Sequence, residues 1–281
     1  MTAPRLDRRG ALRTLGAAAL LVSAGVRAAD AGLAAVKARG TLTVAVYRDM
    51  PPFHDHGHGI DVDLAGALAE SLGVNHALLP FPAGEDMNDD LRNMVWKGHY
   101  LGYGPADVML HVPVQSPLMD ANPQVRILAP YWHDRVMIAR RLDQLPHLET
   151  LAQLNGRTVA VPGQTLAGWL MIGADGGAYR QQLVTTWKDG VEAAQALQRG
   201  EFAAAAGLAS ELESVLGDDP RFVITPLPTL SNSRGGWAVG LAVKKDAADL
   251  AGALQAGVDG LIADGRMRDI FRKGKLEWRA G

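Results

Sequence analysis

The chain has 281 residues, enough for one large domain or two lobes of ordinary size. Hydrophobic residues make up 48% and charged residues 21%, the balance of a folded globular protein rather than a disordered one. The formal net charge of -2 excludes the basic surface that nucleic acid requires. There are no cysteines, which excludes disulfides, a thiol nucleophile, a thiolate metal site and an N-terminal lipid-bearing cysteine.

Residues 1–28 read as a secretory signal. Arg5, Arg8, Arg9 and Arg13 give a charged start, Leu15 to Ala24 an apolar core, and Val26-Arg27-Ala28 a small-residue exit. Arg8-Arg9 hints at the twin-arginine export route. A membrane anchor is the alternative, but the apolar core is short for a bilayer span. Removing residues 1–28 takes away five Arg and one Asp, so 28 basic residues become 23, 30 acidic ones become 29, and the net charge is -6. That balance suits an envelope compartment.

From there strands and helices alternate. "TLTVAVYR" is β-branched and apolar, and predicts a buried strand. "DVDLAGALAESLG" carries Val62, Leu64, Ala65, Leu68, Ala69 and Leu72 at helical spacing, with Gly73 as the stop. "HALLPF" predicts a strand, "EDMNDDLRNMVWKG" a helix, and "ADVMLHV" a third strand. The pattern then restarts. "LETLAQLNG" predicts a helix, "RTVAVPG" a strand, the stretch from Thr165 a helix, and "QLVTTW" a strand. "GVEAAQALQRG" predicts a helix, "FAAAAGL" a strand, "ASELESVLG" a helix, and "FVITPLP" and "GGWAVGLAVKK" strands. Two helices follow, about Ala247 to Ala263 and Arg266 to Lys273. Such alternation argues for parallel α/β sheets. Extended crossings near Pro130 to Arg140 and Val223 to Leu230 divide it into two units, a hinged clamp around a cleft.

"RGTLTVAVYRDMPPF…GIDVDLAGALAESLG" resembles the signature of the periplasmic solute-binding proteins of family 3, the amino-acid-binding type. "LNGRTVAVPGQT", "AAQALQRGEFAAAAG" and "WAVGLAVKKD…LIADGRMRDIFRKG" follow in the family's order, and the resemblance covers roughly residues 39–275. It implies an α/β, two-lobed, type II periplasmic-binding-protein-like fold. The expected layout is a signal at 1–28, lobe one at 29–130 and 225–281, and lobe two at 131–224. The family holds an amino acid with an Arg soon after the third strand, next to Ser/Thr positions, and with an acid from lobe two. Here His111, Val112, Pro113 and Val114 occupy the Ser/Thr region, no Arg follows before Arg126, and Glu211 is displaced. The resemblance therefore implies a small ligand other than a standard amino acid. An added loop, Lys97 to Pro105, carries His99, Tyr100 and Tyr103, and lines the cleft mouth, presents a partner surface or has no role. With that loop the chain also resembles the solute-binding-like J-type accessory proteins encoded beside periplasmic methanol and other quinoprotein dehydrogenases.

In this fold the loop after the first strand lines the cleft, which nominates Tyr47, Asp49 and Phe53 as lobe-one contacts, with packing or turn-capping as their alternatives. His111 joins them. Lobe two offers Gly163, Gln164 and Thr165, where a strand runs into a helix N-terminus able to hold an anion or simply to be capped. Trp169 stands one turn on, as cleft wall or, by preference, core. Arg135 lies near a crossing strand, as ligand cation or solvated charge. Asp61 and Asp63 read as acids complementing a helix start, and Asp89, Asp90 and Arg92 as a solvated helix face. Trp237 is expected to pack. His54, Asp55, His56 and His58 fall within five positions, but near neighbours on one loop lack the distant ligand of a closed metal site. That loop is expected to swing into solvent beyond Phe53.

The resulting expectation is an exported periplasmic binding protein that is not an enzyme, with no cofactor and no metal. Its partners are a small molecule and either an ABC transporter permease or a quinoprotein dehydrogenase with its cytochrome c. The alternatives are an accessory protein of the dehydrogenase and, behind it, a cleft enzyme of the dehydratase type with His111 as general acid.

Overall fold

The computed structural model describes residues 32–228 and 235–281, so the signal read over residues 1–28 lies outside them. The helices are α1 (Leu33–Arg39), α2 (Ile60–Leu72), α3 (Met87–Leu91), α4 (Ser116–Ala121), α5 (Leu166–Gly173), α6 (Gly190–Gln198), α7 (Ala209–Leu216), α8 (Ala248–Ala263) and α9 (Arg266–Lys273). The strands are β1 (Thr41–Tyr47), β2 (Asp49–Met50), β3 (His54–Asp55), β4 (Asn75–Phe81), β5 (Val108–Pro113) and β6 (Val125–Asp134). They continue with β7 (Val136–Arg141), β8 (Val159–Ala160), β9 (Leu183–Val184), β10 (Ala204–Leu208), β11 (Phe222–Pro226) and β12 (Trp237–Lys244).

Two five-stranded sheets organise the molecule. The first runs β4-β1-β5-β12-β6 and the second β11-β7-β10-β8-β9. In the first, β4, β1 and β5 are parallel, and β12 is antiparallel to both β5 and β6. In the second, β10, β8 and β9 are parallel, while β7 is antiparallel to β10 and β11. Each sheet has apolar clusters on both faces, as crossover helices require. On sheet one, a large core joins Val44 and Leu110 to Leu64, Leu254 and Phe271, and an opposite cluster joins Met109 to Leu91 and Met94. On sheet two, Val159 and Met171 form one face, and Leu197 with Leu212 the other. Leu64 and Leu68 are fully buried on the inner stripe of α2, each contributing about 2 kcal/mol.

The chain passes from sheet one to sheet two at Arg135, between β6 and β7. β11 belongs to sheet two as far as Pro226, and the chain rejoins sheet one at Trp237. No helix among the described residues is long and apolar enough to cross a membrane.

Three local expectations are corrected. The helix predicted through Trp96 is a short α3 that widens into a π-helical turn at Arg92–Trp96, which ends where the added loop begins. "LETLAQLNG" gives only a 3-10 turn, Leu151–Leu154, capped by Thr150 and Gln153. The histidine-rich stretch does not simply swing outward. It folds back as the β2–β3 hairpin, with His54 3% exposed and its Nδ1 2.6 Å from the Arg48 carbonyl. Only Asp55, His56, Gly57 and His58 are open to solvent.

Candidate functional site

In open α/β sheets, ligands collect outside the carboxyl ends of parallel strands. In lobe one those ends are Tyr47, Phe81 and Pro113; in lobe two they are Ala160, Val184 and Leu208. Both edges are tied to the crossing strand β6, at residues three apart. Tyr131 binds the lobe-one edge, and Asp134 binds the lobe-two edge.

At the lobe-one edge, His111 has φ 61, left-handed for a strand residue. The register of β5 against β12 shifts between Gly240 and Ala242, opposite this position. The bulge re-aims the His111 ring onto Phe53, with centroids 4.2 Å apart and edge-to-face. A closed polar circuit results. The His111 backbone N–H donates to the Tyr131 hydroxyl at 3.0 Å, and that hydroxyl donates to Asp61 Oδ1 at 2.9 Å. Asp61 Oδ2 lies 3.4 Å from His111 Nδ1, which is enclosed and has no hydrogen-bond partner among the described residues. All three residues are buried. Burial, and then the Asp61 charge, raise the Tyr131 pKa well above the usual phenol range.

The other lobe-one nominees are placed unequally. Tyr47 is buried, and its hydroxyl donates to Asp90 Oδ2 at 2.8 Å. Burial and the Asp90 charge raise its pKa, and burial raises that of Asp90. Asp90 is thus a buried acceptor for Tyr47 and for the Gly84 N–H, not part of a solvated helix face. Phe53 is 2% exposed and packs near Trp132 and Phe271. Tyr47 and Phe53 therefore support the edge from behind. Asp49 is exposed on the hairpin. Asp61 is buried, whereas Asp63 is on the surface with Lys273.

In lobe two, Pro162 to Thr165 leads into α5. The Thr165 hydroxyl accepts from the Gly168 N–H at 3.2 Å and donates to the Pro162 carbonyl at 2.8 Å, so the cap is formed. Thr165→Ala should lower stability by about 1 kcal/mol in urea denaturation, with Thr165→Ser near the parent. Gly163 is half-buried and Gln164 exposed. Trp169, expected in the core, is 68% exposed instead, with Leu166 exposed one turn before it. Ala167, Gly168 and Met171 take the inner face of α5, which turns Trp169 outward. Trp237 packs on the lobe-one core, as its setting suggests.

Glu211, which the sequence reads as displaced from the family's acid position, lies three residues beyond the end of β10. Its side chain folds back. Oε2 accepts from the Leu208 N–H at 2.7 Å and Oε1 from the Gly190 N–H at 3.1 Å. The carboxylate thus reaches the lobe-two edge between the starts of α6 and α7. A Cβ at residue 190 would collide with Oε2, and one at residue 207 would press on it, so glycines make this approach possible. Burial pushes the Glu211 pKa up to about 7, with the Asp189 and Asp134 charges adding to it and the two N–H donors opposing. Nearby, the buried Ser210 hydroxyl donates to Asp134 Oδ2 at 2.5 Å and its N–H to Oδ1 at 3.3 Å. Arg135, between the lobes, has no ion pair among the described residues, and its Nε is enclosed without a partner among them.

The added loop lies elsewhere. It precedes β5, and Asp107 at its end is bonded through its N–H to the Thr43 carbonyl and through Oδ2 to the Thr43 N–H. That is the amino end of β1 and β5, opposite the candidate site, so the loop does not line the cleft mouth. His99 stands 4.3 Å from the rings of both Tyr100 and Tyr103, and Tyr100 is 88% exposed. Among the described residues no group of three or more His, Asp or Glu is placed to hold a metal ion.

No family model matches the chain, and no curated protein matches it in sequence. Many solved structures do match in fold. An ancestral cationic amino acid solute-binding protein is 20% identical with a TM-score of 0.67, over 87% of this chain and 99% of that one. An amino acid ABC transporter substrate-binding protein of Streptococcus pneumoniae, bound to L-arginine, is 20% identical with a TM-score of 0.58, over 86% and 97%. A histidine kinase sensor domain with similarity to periplasmic binding proteins is 21% identical with a TM-score of 0.56, over 86% and 98%. This chain therefore has the two-lobed fold of periplasmic solute-binding proteins.

Proposed function

We propose that the chain is an exported periplasmic binding protein that closes its lobes on a small solute other than a standard amino acid. One observation carries the reading. The lobe-two carboxylate, Glu211, already accepts two backbone N–H groups and has a pKa near 7, so it is a poor partner for a ligand ammonium. The lobe-one edge offers His111 in place of an arginine clamp, and Arg135 between the lobes is the candidate cation for an acidic group. Gly163, Gln164, Thr165 and Trp169 form the facing rim, and delivery to a membrane transporter would follow release.

A thermal-shift screen of small organic acids, amines and the standard amino acids tests this. Specific binding stabilises the folded state by mass action, about 2.7 kcal/mol at a hundredfold excess over Kd. The expected result is a rise with an organic acid, lost in His111→Ala or Arg135→Ala. A rise with a standard amino acid alone would overturn the ligand class.

The ordered aromatic loop, with Tyr100 and Leu101 exposed at the far end of lobe one, favours a second reading. In it the protein assists a periplasmic quinoprotein dehydrogenase or its cytochrome c, and the loop is the contact. No thermal shift with any solute, together with co-purification of a dehydrogenase that is lost in Tyr100→Ser, would select it.

A further inference from the structure

We propose that the C-terminal tail is a latch between the lobes, with Arg279 as its bolt. The tail after α9 is fixed to lobe one. Leu276 is buried in the lobe-one core, and the Trp278 indole N–H donates to the Tyr131 carbonyl at 2.7 Å. From that anchor Arg279 leaves its own lobe. Its guanidinium lies 4.6 Å from the Trp132 ring centroid on β6, and its Nη1 donates to Glu213 Oε1 at 2.9 Å on α7 of lobe two. Among the described residues this is the one ion pair that joins the two lobes, and the remaining cross-lobe hydrogen bonds lie at the crossing strand itself.

The geometry suits a device that holds one arrangement and yields to another. Both members of the pair are largely covered, with 29% and 20% of their side chains exposed, so the pair is shielded from water and salt. A guanidinium stacked on an indole keeps its plane while donating sideways, which lysine does not do. Arg279 Nε and Nη2 are enclosed and have no hydrogen-bond partner among the described residues, so the Trp132 face and the Glu213 pair are the holds the structure shows on the bolt. A cavity of about 400 Å³ adjoins it, lined on the lobe-two side by Leu216, Asp218 and Phe222, and gives the pair room to separate. Rotation of lobe two about Arg135 carries Glu213 with α7 while Trp132 and the tail stay with lobe one. Any lobe movement that separates α7 from β6 must therefore stretch or break this contact.

The absence of native cysteine makes the test direct. Spin labels on Lys97→Cys in lobe one and Gln181→Cys in lobe two report the interlobe distance by double electron–electron resonance. The expected result is one narrow distribution in the otherwise native chain. In Glu213→Gln and Arg279→Ala it should broaden or shift by several ångströms, and the double variant should add nothing to either single. Arg279→Lys should be intermediate. If Arg279→Ala does not fold, Glu213→Gln decides alone, since it keeps shape and removes only charge. A distribution in Glu213→Gln that superimposes on the native one overturns the latch.

Discussion

Raising the pH from about 5 to about 8 should destabilise the native chain relative to Glu211→Gln, by roughly 3 kcal/mol once the transition is complete. The folded-state pKa of Glu211 is about 7, against an ordinary value of 4.5. The folded state therefore holds the proton more tightly than the unfolded chain. The stability this contributes is fully present below pH 4.5 and is lost as pH rises through 7. The principal cause is burial of the carboxyl group at the lobe-two edge, reinforced by Asp189 and Asp134 and opposed by the N–H groups of Leu208 and Gly190. The opposing bonds do not compensate fully for lost hydration, since two neighbouring acids repel the charge. Glutamine keeps one acceptor and turns its amide donors toward the second N–H. Glu211→Gln should thus be less stable than the parent at pH 5 and equal or more stable at pH 8. Urea denaturation of the two chains at each half pH unit measures the difference and cancels the shared contribution of Asp90, whose pKa is also raised. Parallel profiles would show that the carboxylate is hydrated.

The second large effect is expected from removing a single oxygen. Tyr131→Phe should cost about 3 kcal/mol although the ring that fills the core is retained. The hydroxyl serves two buried neighbours at once, accepting from the His111 N–H and donating to Asp61 Oδ1. Phenylalanine leaves a backbone donor on a left-handed residue unpaired and a buried carboxylate short of a donor, each costing about 1–3 kcal/mol. The two losses share one circuit, so Tyr131→Phe with Asp61→Asn should cost less than the sum of the singles. A cost below 1 kcal/mol would mean that water replaces the hydroxyl and that His111 is not held by its neighbours.

These residues also mark the boundary of what the sequence discloses. Periodicity is a local property, so it located β1, α2, β10, α7 and α8 closely, because each buries a stripe or face set by its own residues. The resemblance set the order in which they assemble. The site depends on folding back. Glu211 reaches the lobe-two edge only because glycines at 190 and 207, far apart in sequence, leave a gap for its carboxylate. Asp90 looks solvated within "NDDL" until Tyr47 arrives from another element to cover it. Trp169 reads by preference as core, yet Ala167, Gly168 and Met171 already fill the inner face of α5. By sequence His54 belongs with its solvent-facing neighbours, but the hairpin turns alternate residues to opposite sides and sends it inward.

The place of β12 in sheet one has a consequence for how the chain comes to be folded. β12 lies between β5 and β6, yet it is made about a hundred residues after β6. During synthesis from the N-terminus, sheet two can close as soon as β11 emerges, since all its strands lie within Val136–Pro226. Sheet one then waits with the facing edges of β5 and β6 unpaired, separated by the width of one missing strand. Insertion of Trp237–Lys244 is a long-range step, so completion of lobe one should set the pace of folding. Until it occurs, two adjacent open edges in the same half are the places where another chain can add instead.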